Sequence, residues 1–400
     1  MRELLLRSIS NHVTKPLYAL VLDVGTSSIK AFVFDRSYNC LAMSERELAT
    51  HRCGVRVEQN PYDYVRFSRS VMRSAFRKSN VDPSHLVAGI TNQRETVIVW
   101  DRETGRSVYP AIVWQDRRTQ KQCASMAEHA TRIRGKTGLE LLPYFSASKL
   151  SWILKHVAQS RTLASHHRLL CGTVDTWLMW NMLSNNPHVT DATNACRTLL
   201  YDIHSLSWDE WLLQIFGVKL DTLPAVHPSQ YAFGMLKKDI LGIEIPVNAV
   251  CGDQQASMAA AGRAKGTTKV TYGTGTFVMQ SLGRAFSRRK GFFTTLIPCG
   301  GIPCYALEAK IDTGGLAVEN VLGNSKKLHS VLTSLALSVD DCLKCLPMRP
   351  KKIIIDGGVT RDGRMGIIQA EVSRVPVHML GTFRGTALGV AKLLLDRTFP

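Results

Sequence analysis

Nine residues near the start of the chain, Leu22-Asp23-Val24-Gly25-Thr26-Ser27-Ser28-Ile29-Lys30, place a glycine and three hydroxyl residues between two apolar runs. The runs, Tyr18 to Leu22 and Ile29 to Phe34, predict two strands joined as a hairpin. A glycine allows the backbone to approach a phosphate closely, and the amide and hydroxyl groups after it can donate to phosphate oxygens. The glycine spacing of Walker and Rossmann loops is absent, so a phosphate loop and a plain hairpin turn both remain open.

A second turn, Thr271-Tyr272-Gly273-Thr274-Gly275-Thr276-Phe277, repeats this layout far along the chain. It also lies between two strand-like runs, Thr268 to Val270 and Phe277 to Gln280. The repeat predicts two lobes of one ancestry that face each other across a cleft, with the boundary near Val250 to Asp253. Two such turns can grip a nucleotide triphosphate, and a third glycine site, Ile355 to Val359, is suited to backbone contact with its adenosine.

Strands and helices alternate along the rest of the chain, which predicts an α/β protein. Asn60 to Asn80 opens with Asn-Pro and has a helical apolar face, so we expect a helix there. Leu86 to Trp100 is strand-like, and Ile243 to Val250 is a further apolar strand. Gly385 to Leu395 is predicted to be a closing helix.

Composition excludes several classes of protein. Hydrophobic residues make up 45% of the 400 residues and charged residues 20%, which does not fit a disordered, collagen-like or coiled-coil chain. The formal charge of +18 would attract polyanions. The basic residues are dispersed, however, and their densest set (Arg66 to Lys78) favours a solvated helix face over a nucleic-acid site.

The cysteines and the first residues bear on the cellular compartment. The ten cysteines form one Cys-x-x-Cys, at Cys342 and Cys345, and show no zinc spacing, which favours reduced thiols and a cytoplasmic protein. No apolar run approaches the ~20 residues of a membrane-spanning helix. Residues 1–16 are expected to be a variable leader, and mitochondrial targeting remains open.

Polar residues interrupt one of the predicted strands. In Gly89 to Trp100, the run Gln93-Arg94-Glu95 is either a solvated edge strand or a grip for the hydroxyls of a polyol, with Arg94 donating and Glu95 accepting. Trp114 could cover the C–H face of such a molecule.

Two acids stand at strand ends. Asp253 follows the strand Ile243 to Val250 and is either a general base for a hydroxyl or a helix cap. Asp23 could hold a hydrated magnesium ion, and Lys30 adds positive charge beside it.

Seven runs together resemble a known family. They are LDVGTSS from Leu22, GITNQRETVIVW from Gly89, AIVWQDRRT from Ala111, CGTVDTWLMW from Cys171, HVTDATNACRTLLYDIHSLSW from His188, CGDQQA from Cys251 and TYGTGTF from Thr271. In this order the chain resembles the FGGY carbohydrate kinases, and within them the glycerol kinases, over roughly Leu17 to Ala309. The resemblance implies two actin-like (ribonuclease H-like) ATPase lobes with a cleft between them.

The resemblance also implies roles for individual residues. The residues that match the glycerol site are Arg94, Glu95, Trp114, Tyr144, Asp253, Gln254 and Phe277. Asp253 matches the catalytic base, and Asp23 and Asp253 lie near the magnesium ion. The residues that match the nucleotide site are Thr26, Ser27, Ser28, Lys30, Thr274, Gly315, Glu319, Gly358 and Asp362.

The chain departs from the family pattern at several positions. Lys30 replaces a usual arginine, so a bidentate phosphate contact would be lost. Glu319 and Asp362 replace amides and would put negative charge near the nucleotide. The segment 320–351 lacks several dozen residues of a family member, including a strand and a long helix. We therefore expect an N-terminal lobe over 17–252 and a C-terminal lobe over 253–400 that is shortened near 320–351 and truncated at its end.

The function implied by the resemblance is ATP- and Mg²⁺-dependent phosphorylation of glycerol to sn-glycerol 3-phosphate. A kinase for another small polyol or sugar is an alternative. A kinase-fold protein that binds nucleotide or polyol without efficient transfer is another, favoured by the shortened second lobe. A chaperone-type ATPase is disfavoured by the polyol residues. No nucleic-acid partner is expected, and a homo-oligomer is left open.

Overall fold

The structure of the chain is a computed structural model that describes residues 17–273, 275–311, 318, 325–380 and 384–396. The predicted leader, Thr274, Gly315 and Glu319 therefore lie outside the described residues. Within the described ranges, none of the helices has the length and apolarity needed to cross a membrane.

The strands of the described residues fall into two large mixed sheets and several small ones. In chain order they are β1 (Tyr18–Val24), β2 (Ser28–Asp35), β3 (Cys40–Glu47), β4 (His51–Cys53), β5 (Arg56–Gln59), β6 (Leu86–Asn92), β7 (Ile98–Asp101), β8 (Ala111–Ile112), β9 (Leu169–Gly172), β10 (Val189–Asp191), β11 (Tyr201–Asp202), β12 (Ser207–Trp208), β13 (Ala225–His227), β14 (Gln230–Leu236), β15 (Ile245–Gly252), β16 (Thr268–Tyr272), β17 (Thr276–Gly283), β18 (Phe293–Leu296), β19 (Tyr305–Ile311), β20 (Ile353–Asp356) and β21 (Val377–Met379).

The helices flank these sheets. They are α1 (Pro61–Ser79), α2 (Gln120–Ser125), α3 (Ala130–Thr137), α4 (Ser146–His156), α5 (Ala158–Ser165), α6 (Val174–Met182), α7 (Ala192–Ala195), α8 (Glu210–Phe216), α9 (Lys238–Leu241), α10 (Asp253–Ala261), α11 (Ser325–Lys344), α12 (Arg364–Ser373) and α13 (Gly385–Leu395). Short 3₁₀ turns lie at Pro83–His85, Ala127–His129, Leu220–Thr222 and Gly358–Thr360.

The two large sheets repeat one pattern of strands. The first has the order β14-β15-β6-β1-β2-β3, and the second β18-β19-β17-β16-β20-β21. In each, a glycine-turn hairpin (β1–β2 or β16–β17) pairs through its first strand with a parallel strand (β6 or β20). The predicted hairpins and the α/β class are confirmed, and the repeated pairing fits two lobes built on one plan.

Helix α1 shows how local sequence produces a packed element. The Asn60 side chain accepts from the Tyr62 amide at 3.1 Å, and Pro61 occupies the first turn, where a missing N–H costs nothing. The helix buries Tyr64, Val71 and other residues in the core of the first sheet and ends at Asn80, in the left-handed region. The predicted helix is confirmed.

The predicted strand from Leu86 to Trp100 is corrected by the structure. It divides into β6 and β7, and residues 93–97 between them form a buried loop. Glu95 has a φ of 64°, which no strand residue adopts, so the chain must turn there. The break places the polar run at the carboxyl end of β6 rather than within a strand.

The expectation that segment 320–351 would lack a long helix is wrong. Ser325–Lys344 form the 20-residue helix α11. Its apolar face, which includes Leu328, Leu332 and Val339, is buried in the same core as Val270 and the other inward residues of the second sheet. Burial at about 25 cal/mol per Å² is what holds an amphipathic helix on a sheet.

Helices α10 and α13 lie side by side and pack on the first sheet, although the predicted C-terminal lobe included both. Their close approach depends on Gly389, since an added Cβ would lie 1.7 Å from the carbonyl oxygen of Ala256. The boundary at 252/253 remains a proposal. The packing means that the C-terminal helix completes the core beneath β1, β6 and β15.

Candidate active site

The first glycine turn joins β1 to β2 at the end of the first sheet. The Gly25 amide donates to the Ser28 carbonyl at 3.0 Å, which closes the turn, and Asp23 and Lys30 pair across the hairpin beside it. Ser27 is exposed at the tip, and Ser28 is half-buried. The turn therefore leaves Ser27 as its most exposed residue.

The Thr26 hydroxyl is engaged within the protein. It donates to Gln93 Oε1 at 3.0 Å and accepts from Trp114 Nε1 at 2.9 Å. Gln59 Nε2 donates to the Thr26 carbonyl at 2.7 Å. A hydroxyl has one proton, so Thr26 cannot also donate that proton to a phosphate while this network holds. The network instead joins the first turn to Trp114.

The second glycine turn, at the end of β16, is braced from behind by β20. Gly357 has a φ of 104°, and a Cβ there would lie 2.3 Å from the Tyr272 carbonyl oxygen, so only glycine fits. The preceding Asp356 is buried and pairs with Lys269, and it accepts from the Ser257 hydroxyl at 2.7 Å. Asp356 thus holds the strand that bears the turn rather than facing the cleft.

A cleft of about 730 Å³ lies between these two turns, within the usual 300–1,000 Å³ of ligand pockets. Its lining includes Asp23, Lys30, Gly273, Gly358 and Asp362. Four of these are predicted nucleotide or metal residues from the two separate lobes. The cleft therefore brings Lys30, Gly358 and Asp362 of the predicted nucleotide residues together with Asp23, whereas Thr26, Ser27 and Ser28 do not line it.

The charges in the cleft are partly compensated. Lys30 pairs with Glu45 at 3.2 Å, and Asp362 pairs with Arg364. The negative charge that the sequence placed near the nucleotide at Asp362 is thus balanced by its neighbour. Three arginines, a residue type suited to phosphate oxygens, also line the same cleft (Arg361, Arg364 and Arg384).

Asp23 carries the strongest perturbation in the cleft. Burial raises its pKa to about 7; Lys30 works to lower it, while Asp253 and Glu45 raise it further. A carboxylate without a full counter-charge fits a cation that also binds phosphate, since Mg²⁺ usually takes one or two carboxylates plus phosphate oxygens and waters. Among the described residues, no group of three or more His, Cys, Asp or Glu side chains could hold a metal by itself.

The loop after β6 carries Arg94 and Glu95, and both side chains are only 2% exposed. The solvated edge-strand interpretation is therefore wrong. Arg94 binds the carboxylate of Glu308 on β19 through two nitrogens, at 2.7 and 3.1 Å. Its Nε lies 3.1 Å from Asp253 Oδ1 at the start of α10. The Arg94 guanidinium thus links the loop after β6 to β19 and to the start of α10.

Arg197 and Glu308 complete this cluster, and the sequence analysis missed both roles. Arg197, fully buried, donates to Glu95 Oε1 at 2.7 Å and lies 2.9 Å from Glu308 Oε1. The two arginines thereby balance two buried carboxylates, as buried charges require. Arg197 lies in the run from His188 that resembles the family, so that run could have pointed to it. Glu308 in β19 was marked in the sequence only by being a charged residue in an apolar strand.

Asp253 stands at the first position of α10, after β15. Its side chain is 29% exposed, and burial raises its pKa to about 6; Arg94 opposes this, and Glu95 and Glu308 add to it. A carboxyl with such a pKa is ionised near neutrality and is a better proton acceptor than an ordinary aspartate. The structure therefore supplies the property that a general base requires.

Polar and aromatic residues make up the rest of the predicted polyol set. The Oε1 atom of Gln254 is buried and finds no hydrogen-bond partner among the described residues. The rings of Trp114 and Tyr144 meet edge to face at 5.5 Å, and Lys310 Nζ lies 5.1 and 5.4 Å from their centres. Phe277 pairs with Lys310 between β17 and β19. That the seven predicted residues share one polyol site stays a prediction, to which the structure adds Lys310 beside two of the rings.

The chain was compared with known protein families. Residues 18–260 match the N-terminal domain of the FGGY family of carbohydrate kinases. A glycerol kinase from Thermus brockianus is 41% identical over 339 residues, which cover 81% of this chain and 67% of that protein. A glycerol kinase from Pseudomonas putida is 43% identical over 324 residues, covering 79% and 64%. The chain thus spans about two thirds of the length of these relatives.

Solved structures agree on the fold. The structure of Plasmodium falciparum glycerol kinase with ADP superposes with a TM-score of 0.86 at 25% identity, over 94% of this chain and 89% of that one. A xylulose kinase from Rhodospirillum rubrum has a TM-score of 0.79 at 16% identity, over 94% and 89%. The second similarity bears on the fold alone. Together they support the predicted pair of actin-like lobes.

Proposed function

The chain belongs to the FGGY family of carbohydrate kinases, and from this membership we propose that it transfers the terminal phosphoryl group of ATP to glycerol, giving sn-glycerol 3-phosphate. The observation that carries the proposal is the set of polar groups at Asp253. There, an acid of raised pKa and the unpartnered oxygen of Gln254 adjoin a guanidinium and an aromatic pair. A small molecule with several hydroxyls and one apolar side matches that set.

In this proposal each group has a distinct part. Arg94 donates to one hydroxyl oxygen of glycerol, and Gln254 Oε1 accepts from another hydroxyl. Asp253 accepts the proton of the attacking hydroxyl as its oxygen approaches phosphorus, a step worth typically 10²–10⁴-fold in rate. The faces of Trp114 and Tyr144 exclude water from the carbon side, which limits hydrolysis of ATP.

The nucleotide would occupy the cleft of about 730 Å³. We propose that the backbone amides of the Gly25 and Gly273 turns hold its phosphates, with Ser27, Ser28 and Lys30 beside the first turn and Gly358 and Asp362 near the adenosine. The expected contacts of Thr274, Gly315 and Glu319 stay predictions. The relative from Plasmodium falciparum was solved with ADP, which supports nucleotide binding here.

Magnesium would be held by Asp23 together with phosphate oxygens, and it would supply positive charge against the transferring phosphoryl group. Of the two predicted metal residues we favour Asp23, because Asp253 Oδ1 already lies 3.1 Å from Arg94 Nε. Asp23 orients the ion, and Lys30 and the glycine turns orient the phosphates. Proton removal remains with Asp253.

The test is ADP release measured with a panel of glycerol, xylulose and other small polyols. We expect glycerol to give the highest kcat/KM. Asp253→Asn should lower the rate about 10²-fold or more while ATP still stabilises the chain against heating. Asp341→Asn, the same change on an exposed face of α11, is the matched control.

The outcome distinguishes the alternatives left by the sequence. Faster turnover of xylulose than of glycerol would replace the proposed substrate with a sugar. Stabilisation by ATP and glycerol without ADP release would favour a protein that binds but does not transfer. Near-normal turnover in Asp253→Asn would refute the base assignment.

A further inference from the structure

The loop between β18 and β19, residues 297–304, contains two cysteines in the sequence Cys299-Gly300-Gly301-Ile302-Pro303-Cys304. The Cys304 thiol donates to Cys299 Sγ, and the two sulfur atoms lie 2.6 Å apart. Backbone bonds fold the loop back on itself: the Ile297 amide donates to the Cys304 carbonyl at 2.9 Å, and the Gly301 amide to that of Cys299 at 2.8 Å. The ladder of the hairpin thus brings the two thiols together.

This pair differs from the other cysteines of the chain. Four of the ten cysteines are buried (Cys123, Cys171, Cys196 and Cys251), where a thiol is inert. Cys53 and Cys345 are exposed. Cys342 and Cys345 form the one Cys-x-x-Cys of the sequence. The sulfur atoms in contact, however, are those of Cys299 and Cys304, five residues apart.

We propose that Cys299 and Cys304 form a dithiol modification site that a peroxide oxidises reversibly to a disulfide. Cys299 loses its proton and its sulfur attacks one peroxide oxygen, the O–O bond breaks, and Cys299 becomes a sulfenic acid. The hydroxide or alkoxide that leaves takes up the released proton and departs as water or an alcohol. Cys304 sulfur then attacks the Cys299 sulfur, and the hydroxyl group departs as water with the Cys304 proton. The two thiols lose two electrons, and the peroxide gains them.

The contacts of the loop assign the order of attack. Cys304 donates its proton toward Cys299, so Cys304 is the thiol that keeps its proton and Cys299 is the sulfur left to attack. Burial, and then this hydrogen bond, raises the pKa of Cys304 to about 12. The positive charge of Arg263 acts on both sulfur atoms, and its Nη1 donates to the Pro298 carbonyl at 3.0 Å.

A small oxidant can reach the pair. Both side chains are half-buried and line a cavity of about 150 Å³, together with Ser229, Ile302 and Pro303. That space exceeds the ~30 Å³ that one water occupies in the liquid, so hydrogen peroxide fits. β19 starts at Tyr305, directly after Cys304, so closing the disulfide constrains the start of the strand that bears Glu308.

The test uses the full chain, treated with hydrogen peroxide and digested with trypsin. Cleavage after Lys290 and Lys310 leaves both cysteines, and no others, in one peptide. We expect that peptide to lose two hydrogen atoms, about 2 Da, and to regain them with dithiothreitol. Oxygen addition at the two cysteines separately, an unchanged peptide, or a disulfide to another cysteine would each overturn the proposal.

Three variants test the order of attack. In Cys304→Ser, Cys299 should react with dimedone, a trap for sulfenic acid, during peroxide treatment. In Cys299→Ser, Cys304 should stay reduced, with oxidation of the peptide slowed about tenfold or more. Cys53→Ser is the matched control and should leave the loss of about 2 Da unchanged. Dimedone capture at Cys304 in place of Cys299 would refute the assignment of the attacking thiol.

Discussion

Replacing Glu308 with glutamine tests whether the buried ion cluster holds the two lobes in register. Glu308 is fully buried, and its Oε2 lies 2.7 Å from Arg94 Nη1. Its Oε1 lies 3.1 Å from Arg94 Nη2 and 2.9 Å from Arg197 Nη2. Whichever way the new amide turns, its NH₂ group faces a guanidinium nitrogen within about 3 Å and no acceptor replaces the lost oxygen.

The expected cost follows from removing one partner of a buried pair, about 3–5 kcal/mol. With a urea dependence of roughly 1–3 kcal/mol per molar, the unfolding midpoint should fall by about 1 M or more. Burial works to raise the pKa of Glu308, but the two guanidinium groups outweigh it and hold that pKa below its usual range. This contribution to stability is therefore present above the unfolded pKa, about 4.3, and is lost as the pH falls through the lower folded value.

Urea unfolding of Glu308→Gln at pH 7 and at acid pH, followed by tryptophan fluorescence, measures this effect. The control is Glu371→Gln, the same change on an exposed face of α12, which should leave the midpoint unchanged. The difference between Glu308→Gln and the wild type should shrink below about pH 4. An equal midpoint for the two variants at pH 7 would refute the reasoning, because the carboxylate would then contribute nothing that an amide cannot.

Three further outcomes follow from the site and its packing. Burial raises the pKa of Asp253 to about 6, and only the ionised carboxylate accepts a proton, so kcat/KM should fall as the pH drops through about 6. A fall centred near pH 4 would instead show an unperturbed acid. Thr26→Val removes the hydroxyl that accepts from the Trp114 indole, so we expect initial rates to show a several-fold rise in KM for the polyol and little change in KM for ATP. An equal rise in both KM values would contradict the link between Thr26 and the polyol site. Gly389→Ala places a Cβ 1.7 Å from the Ala256 carbonyl oxygen, so urea unfolding should show a free energy of unfolding lower by about 1–3 kcal/mol. Unchanged stability would mean that α10 and α13 can separate at no cost.

Much of the fold follows from neighbouring residues. Apolar runs on either side of the Gly25 turn and of the second glycine turn predicted both hairpins, because apolar runs and turn chemistry are set within a few residues. Helix α1 was predicted for the same reason, since Asn60 caps it and its apolar residues recur at helical spacing. The family resemblance then named seven polyol residues, and the structure joins two of them, Arg94 and Asp253, through an ion contact that spacing alone could not reveal.

The remaining features depend on contacts between distant segments. Arg94, Arg197 and Glu308 are separated by about a hundred residues each, and only folding shows that their charges balance. The position of α13 on the first sheet depends on Gly389 meeting a carbonyl of α10, which no window of sequence contains. The amino-acid sequence thus determined the strands, turns and helix caps, whose energies are local. The tertiary structure decided which buried charges meet, because a buried ion is stable only beside a partner that the chain brings from elsewhere.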